Sequence, residues 1–370
     1  MRALSRLLTV LVVVLFVSPS ALAQSLREFV LVLGEDDQLD EPALRLPLAL
    51  ADAKVERVFP DVTAATSPVL YGAYVVTVPA QKAAILVELL SLDGENVALI
   101  EDNVRVFAPP NMDGGPCEGS GGLTSVNDPL APAQLELALH GDEAVLQMLA
   151  LAAPHAVRQT VAVIDTGVNG THEDLAGIVS PLRDEDRSGH GTAVAGRVAA
   201  NTHNGLGLAS LNHSGAYLRV ISYPALAAPN ASADDIAKAI VAATNDGAAV
   251  INMSFGGQGE APMIVVEAIE YAKSRGVMLV AAAGNDGAFR DAVTRWPANV
   301  DGVMALSAAS SAGAPAEYAS RLTDLPLGAW ASGDGVCVLD HKGGYRRDSG
   351  SSFSAPSVAG MLGVARALCP

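Results

Sequence analysis

The chain has 370 residues, half of them hydrophobic and 17% charged, a globular composition long enough for one large domain or two unequal ones. Its formal net charge of −17 argues against a polyanionic partner such as nucleic acid, which selects basic faces. Aromatic residues make up only 4%, so the apolar content is mainly Ala, Val and Leu, which suits packed helices and buried parallel strands and favours an α/β class over all-β.

The chain opens with Arg2 and Arg6, the apolar run Leu7–Val17, Ser18-Pro19-Ser20 and the small-x-small triplet Ala21-Leu22-Ala23 before Gln24. This order reads as a secretory signal over 1–23, since the apolar run falls short of the ~20 residues a membrane span needs. Gln24 stands where a lipid anchor would need Cys, and no later stretch reads as a transmembrane helix. The mature protein is therefore expected outside the cytoplasm, without a membrane anchor.

Residues 24–108 read as a small α+β domain. A strand lies in Arg27–Gly34, a second in Ala73–Val78, and Pro79-Ala80-Gln81 opens a helix with Ala84, Ile85, Leu86, Leu89 and Leu90 at helical spacing. Asp93-Gly94 closes that helix, and Val97–Phe107 alternates as a third strand. Pro109-Pro110, Gly114-Gly115-Pro116, Gly119 and Gly121-Gly122 then mark 109–127 as a flexible, protease-accessible linker. From Asp128 to the end, apolar runs alternate with helix-length segments: Thr160–Ile164, Tyr217–Ile221, Ala249–Asn252, Val277–Ala282 and Val303–Ser307. Such spacing predicts a predominantly parallel sheet covered by helices on both faces, with catalytic groups just beyond the carboxyl ends of its strands.

Three cysteines, Cys117, Cys337 and Cys369, leave one over in an oxidising compartment. Because Cys117 lies in the Gly-rich stretch, open to removal, the preferred pairing is Cys337 with Cys369.

Chemistry gathers in three signatures. The strand Thr160–Ile164 runs into Asp165-Thr166-Gly167, so a carboxylate stands at the end of a buried strand. Ser188-Gly189-His190-Gly191-Thr192-Ala193 puts a histidine at the start of an Ala/Val-rich helix. Gly350-Ser351-Ser352-Phe353-Ser354-Ala355-Pro356 places Ser352 at another helix start, where free N–H groups can stabilise an oxyanion. Taken singly, each is ordinary turn or cap chemistry; the ordered set points to catalysis.

These motifs, in the order Asp, His, Ser, resemble the subtilisin-like serine proteases (subtilases, peptidase S8 type). Further matching stretches are Asn169-Gly170-Thr171-His172-Glu173-Asp174-Leu175, Ile251-Asn252-Met253-Ser254-Phe255-Gly256-Gly257 and Ala282-Ala283-Gly284-Asn285-Asp286-Gly287. The resemblance implies a triad of Asp165, His190 and Ser352, an oxyanion hole completed by Asn285, and a primary pocket between Ser254, Phe255, Gly256 and Ala282, Ala283, Gly284. Those small, uncharged walls favour apolar or mixed side chains and broad endopeptidase action on protein or peptide substrates. His172 is implied to serve a structural turn. Residues 24–108 resemble the family's inhibitor-like prodomain, an intramolecular partner whose tail occupies the cleft until it is cut away, with cleavage expected between Ala108 and Asp128.

Neither His-Glu-x-x-His nor paired Cys-x-x-Cys occurs, so no catalytic metal or other cofactor is expected. Calcium is structural in many relatives, but the loop 201–208 is poor in carboxylates and no site can be placed. Ser351 departs from the usual Thr, Phe353 from the usual Met and Ala193 from a common second His. The chain also ends soon after Ser352, so one or two peripheral elements of the family are expected to be lacking. The alternative function is a catalytically inactive secreted binding protein of the same fold. An esterase is disfavoured because the Gly-x-Ser-x-Gly elbow is absent.

Overall fold

A computed structural model describes residues 26–34, 42–91, 97–106, 114–139, 142–181, 186–227, 231–287, 295–323 and 325–370. The signal-like segment, Asp93-Gly94 and Pro109-Pro110 lie outside these residues. The chain divides into two compact units, one through Val104 and one from Arg105 onward.

The first unit contains β1 (Leu26–Leu33), α1 (Pro42–Leu50), β2 (Lys54–Arg57), α2 (Pro68–Tyr71), β3 (Ala73–Pro79), α3 (Ala80–Ser91) and β4 (Val97–Asp102). Its strands form an antiparallel sheet in the order β2-β3-β1-β4. Alternation along β1 sends Phe29, Leu31 and Leu33 into one core with Leu44 and Leu48 of α1 and Leu86 and Leu90 of α3. The sequence reading missed α1 and β2, the latter because Lys54-Val-Glu-Arg57 carries charge at three of its positions. It also ran β4 too far: the sheet ends at Asp102, and Arg105–Val106 pairs elsewhere.

The second unit begins with that pair, β5 (Arg105–Val106). It continues through α4 (Leu135–Leu139), α5 (Asp142–Ala152), β6 (Gln159–Ile164), α6 (His190–Ala199), β7 (Leu218–Tyr223), β8 (Ala231–Ser232), α7 (Ala233–Asn245) and β9 (Val250–Met253). Then come β10 (Gly257–Gln258), α8 (Met263–Ser274), β11 (Met278–Ala282), β12 (Arg295–Trp296), β13 (Val303–Ala309), β14 (Gly328–Ser332), β15 (Val336–Leu339), β16 (Tyr345–Asp348) and α9 (Ser351–Leu368). Six strands form one parallel sheet in the order β14-β13-β11-β9-β6-β7. Five of them are the apolar runs read from the sequence. The sixth, β14, reads Gly-Ala-Trp-Ala-Ser and lacks the β-branched residues that announce a strand.

Helix α9 packs against both the sheet and α6. A side chain at Gly360 would bring its Cβ to 2.4 Å from the Val198 carbonyl oxygen, so glycine permits this close backbone approach.

The disulfide differs from the expected one. Cys117 pairs with Cys337, while Cys369 is free and exposed past the end of α9. The described part of the Gly-rich stretch is laid down on the β15–β16 hairpin, which brings the two Cα atoms to 5.5 Å. There the Gly114 N–H donates to the Arg347 carbonyl at 3.1 Å and the Arg347 N–H to the Gly115 carbonyl at 2.8 Å. Leu123 in the same stretch is buried.

Candidate active site

The parallel register fixes which loops meet. Ile164 of β6 lies beside Met253 of β9, and Met253 beside Ala281 of β11. Asp165, Ser254 and the Ala283-Gly284-Asn285 turn therefore leave the sheet side by side at its carboxyl edge.

Asp165 is fully buried. Its Oδ1 accepts from the Thr166 N–H at 2.8 Å and from His190 Nδ1 at 2.8 Å. A carboxylate only accepts, so Nδ1 carries the proton and Nε2 is left with a lone pair, the tautomer a general base requires. The helix start can come this close because residue 191 is glycine: a Cβ there would sit 2.0 Å from the Gly167 carbonyl oxygen. Burial by itself disfavours the imidazolium of His190, but the charge and hydrogen bond of Asp165, with the charges of Asp348 and Asp186, more than offset it and raise its pKa.

Asp186, a residue the sequence reading did not single out, ties the carboxylate turn to the histidine helix. Its Oδ1 accepts from Thr166 Oγ1 at 2.9 Å and from the N–H groups of Ser188 at 3.2 Å and Gly189 at 2.8 Å. Its Oδ2 accepts from the Thr192 N–H at 2.8 Å and Oγ1 at 2.6 Å, and Thr166 Oγ1 in turn accepts from the Gly191 N–H at 3.0 Å. A carboxylate at a helix start satisfies otherwise orphaned donors and complements the dipole. An acidic residue four positions before the His of a Gly-His-Gly was the available signal.

Ser352 lies in the first turn of α9, where its N–H has no intrahelical acceptor. Its hydroxyl donates to the Ser254 carbonyl at 3.1 Å, and the Ser254 hydroxyl donates to the Ser352 carbonyl at 2.8 Å. The His190 ring lies against Phe353, the next residue, at a centroid distance of 5.8 Å. Asn285 is exposed at the strand end, and its Oδ1 accepts from the Ser351 N–H at 2.9 Å. That contact orients Nδ2 toward the helix start, where a Cβ at Gly350 would come within 3.2 Å of it. Ser351 makes a second tie, its Oγ accepting from the Gly284 N–H at 3.1 Å. Histidine, serine hydroxyl and two N–H donors thus surround one helix terminus, a set suited to acyl transfer.

His172 is buried; its Nδ1 accepts from the Asp174 N–H at 3.2 Å and its Nε2 donates to the Gly344 carbonyl at 3.0 Å, so both nitrogens are engaged in a turn. A calcium ion does not fit the 201–208 loop. Both Asp174 oxygens face donors, the Leu208 N–H at 2.7 Å and Asn204 Nδ2 at 3.2 Å, and both Asp128 oxygens face the N–H groups of His203 and Asn204. Among the described residues no group of three or more His, Cys, Asp or Glu could hold a metal ion.

Comparison with known proteins is consistent across sequence and fold. A model of the subtilase family (Peptidase_S8) matches residues 158–370. The thermophilic serine proteinase of Bacillus sp. strain AK1 is 35% identical over 219 residues, 56% of this chain and 51% of that protein. Subtilisin DY of Bacillus licheniformis is 35% identical over 217 residues, 55% of this chain and 75% of that protein. The chain spans only 51%, 34% and 33% of the length of three relatives it matches, the AK1 proteinase, fervidolysin and an extracellular protease of Xanthomonas campestris. Among solved structures, fervidolysin of Fervidobacterium pennivorans superposes with a TM-score of 0.68 over 92% of this chain and 54% of its own, at 22% identity, a likeness of fold. A protease structure from Pseudoalteromonas arctica PAMC 21717 gives 0.55 over 65% and 86%, at 26% identity.

Proposed function

Because the chain belongs to the subtilase family, we propose that it is a secreted serine endopeptidase that cleaves peptide bonds by acyl transfer. The observation that carries this reading is the buried Asp165–His190 hydrogen bond of 2.8 Å at the start of one helix, with the His190 ring 5.8 Å from that of Phe353, the residue after Ser352 in the other helix. Ser352 turns from the Ser254 carbonyl to His190, whose Nε2 takes the hydroxyl proton as the oxygen attacks the peptide carbonyl. Asp165 holds the imidazole and balances its positive charge. Asn285 Nδ2 and the Ser352 N–H receive the oxyanion, the imidazolium returns its proton to the leaving amine, and water repeats the sequence on the acyl-enzyme.

Backbone recognition accounts for action on extended segments of a protein chain. Arg105–Val106 adds as an antiparallel strand to Ala231–Ser232, which supports reading this edge as one that holds an extended peptide by main-chain hydrogen bonds. On the same reading the N-terminal unit is an inhibitory prodomain, and the tail that follows it occupies the edge until cleavage. Since residues from Gly114 on are fixed to the β15–β16 hairpin, we place the cut within 107–113, outside the described residues. Secretion rests on the signal-like segment and on the extracellular relative. No helix among the described residues is long and apolar enough to cross a membrane.

The test is expression of the full chain in a secreting host beside Ser352→Ala. The wild type should yield a shortened product, its new N-terminus within 107–113, that digests a denatured protein substrate. A wild type that is cut no differently from the variant and digests nothing would refute the reading.

A further inference from the structure

We infer that Arg295, clamped by Asp286, determines which side chain the cleft accepts, selecting peptides with a short acidic residue on the N-terminal side of the scissile bond over those with a long apolar or basic one. The inference rests on the proposed peptidase function.

The walls come from two adjacent strands: Ser254-Phe255-Gly256 follows β9 and Ala282-Ala283-Gly284 ends β11. Arg295 reaches the space between them through β12, which pairs antiparallel with β10 so that Arg295 lies opposite Gln258. Its stem is in contact range of both walls. A Cβ built on Gly256 would lie 3.9 Å from Arg295 Cδ, and one built on Gly284 would lie 3.5 Å from Arg295 Cγ. The uncharged walls therefore share a floor that the sequence reading did not include, and that floor carries an ion pair, since Asp286 Oδ2 would lie 3.2 Å from the same Gly284 Cβ.

The head is fixed as well. Nε donates to Asp286 Oδ2 at 2.8 Å and Nη2 to Oδ1 at 2.5 Å, a bidentate pair with only 17% and 20% of the two side chains exposed. Asp286 is held next to Asn285, and its own N–H donates to Ser320 Oγ at 3.3 Å. A planar, partly desolvated fork of this kind resists displacement more than a solvated lysine would.

Recognition follows from what is left over. The pair engages two of the five guanidinium N–H donors, and the others have no acceptor among the described residues. Donors bind acceptors, so a carboxylate reaching the floor gains a charge-assisted hydrogen bond. A lysine finds a guanidinium of like charge and an Asp286 carboxylate whose two oxygens already accept from Arg295. A phenylalanine or leucine must either stop short or bury its end against an ion pair, which costs free energy.

The experiment uses the processed enzyme and peptide anilides that differ in the residue before the scissile bond, Asp, Ala, Phe or Lys, with active sites counted by fluorophosphonate. The wild type should favour Asp over Phe and Lys by about tenfold or more in kcat/KM. Arg295→Gly should reverse the Phe/Asp order by at least about tenfold. Arg295→Met, which keeps a stem and loses the fork, should lose the Asp preference without gaining Phe. Counting active sites corrects for any variant that folds poorly. A wild type that prefers Phe, or an Arg295→Gly protein whose Phe/Asp ratio moves by less than about twofold while its active sites titrate normally, overturns the inference and leaves the peptidase reading intact. A processed wild type that takes no fluorophosphonate defeats the peptidase reading, and the inference falls with it.

Discussion

Ser254 and Ser352 hold each other by two hydrogen bonds, each hydroxyl donating to the other's carbonyl, at 2.8 Å and 3.1 Å. Only one of the two uses the Ser352 hydroxyl. Ser352→Ala should therefore leave the helix start anchored and change stability by about 1 kcal/mol or less, while lowering kcat/KM on the order of 10⁶-fold. Urea denaturation beside anilide hydrolysis checks both; a large stability loss would show that the hydroxyl is structural.

Asp186 bridges the Asp165 turn and the His190 helix through Thr166, Gly189 and Thr192. Asp186→Ala leaves five donors from Thr166, Ser188, Gly189 and Thr192, four of them buried, without their acceptor, a loss of about 2–4 kcal/mol of stability. Asp186→Asn keeps the shape, removes the charge and should lower kcat more than it raises KM. A variant with unchanged kcat and unchanged denaturation midpoint contradicts this positioning role.

The pH dependence has a definite sign. In the proposed mechanism a neutral imidazole accepts the Ser352 proton, so kcat/KM should rise as His190 loses its own, and its raised pKa puts that limb above the ordinary histidine value of 6.5. Asp348 is fully buried, ion-paired with Arg346 and one of the charges that raises it, so Asp348→Asn should move the limb to lower pH. Because the folded value exceeds the unfolded one, protonated His190 contributes stability that is complete below pH 6.5 and disappears as pH rises through the folded pKa. An acid limb that does not move in Asp348→Asn counts against this electrostatic arrangement.

Asp174 provides a separate stability signal. Burial is the main cause that pushes its carboxyl up to about 7, against the hydrogen bonds from Leu208 and Asn204 and with help from the charges of Asp128 and Glu173. Between its ordinary 3.8 and about 7 the folded protein keeps a proton that the unfolded chain has released. Its contribution therefore falls as pH rises through that window, by a few kcal/mol in order of magnitude. In a Ser352→Ala background, which prevents self-digestion, Asp174→Asn should flatten the difference in urea midpoint between about pH 5 and pH 8. An undiminished difference would place the proton elsewhere.

The disulfide makes one more commitment. Unreduced, denatured protein should alkylate at Cys369 alone, and reduction of Cys117–Cys337 should cost about 2–5 kcal/mol. Peptide mapping that finds Cys337 joined to Cys369 would contradict the structure.

The sequence was most informative where the backbone itself does the positioning. Thr160–Ile164 and its parallel partners are wholly apolar because both faces are covered, and Asp165, His190 and Ser352 stand at strand or helix ends that local pattern reveals. It was least informative where partners are remote. The Cys117–Cys337 bridge depends on the Gly-rich stretch lying along β16, and the Arg295–Asp286 floor on the pairing of β12 with the remote β10. Neither leaves a periodicity to read. The strand β14 was missed for a different reason, since its small residues carry little strand preference and only its place beside β13 makes it one.

The central claim is that Ser352 is a nucleophile activated by His190. Treating the processed protein with a fluorophosphonate and mapping the adduct tests it most directly. The account predicts a single label on Ser352 in the wild type and none in His190→Ala; a processed wild type that stays unlabelled, or carries its label on another residue, would contradict it.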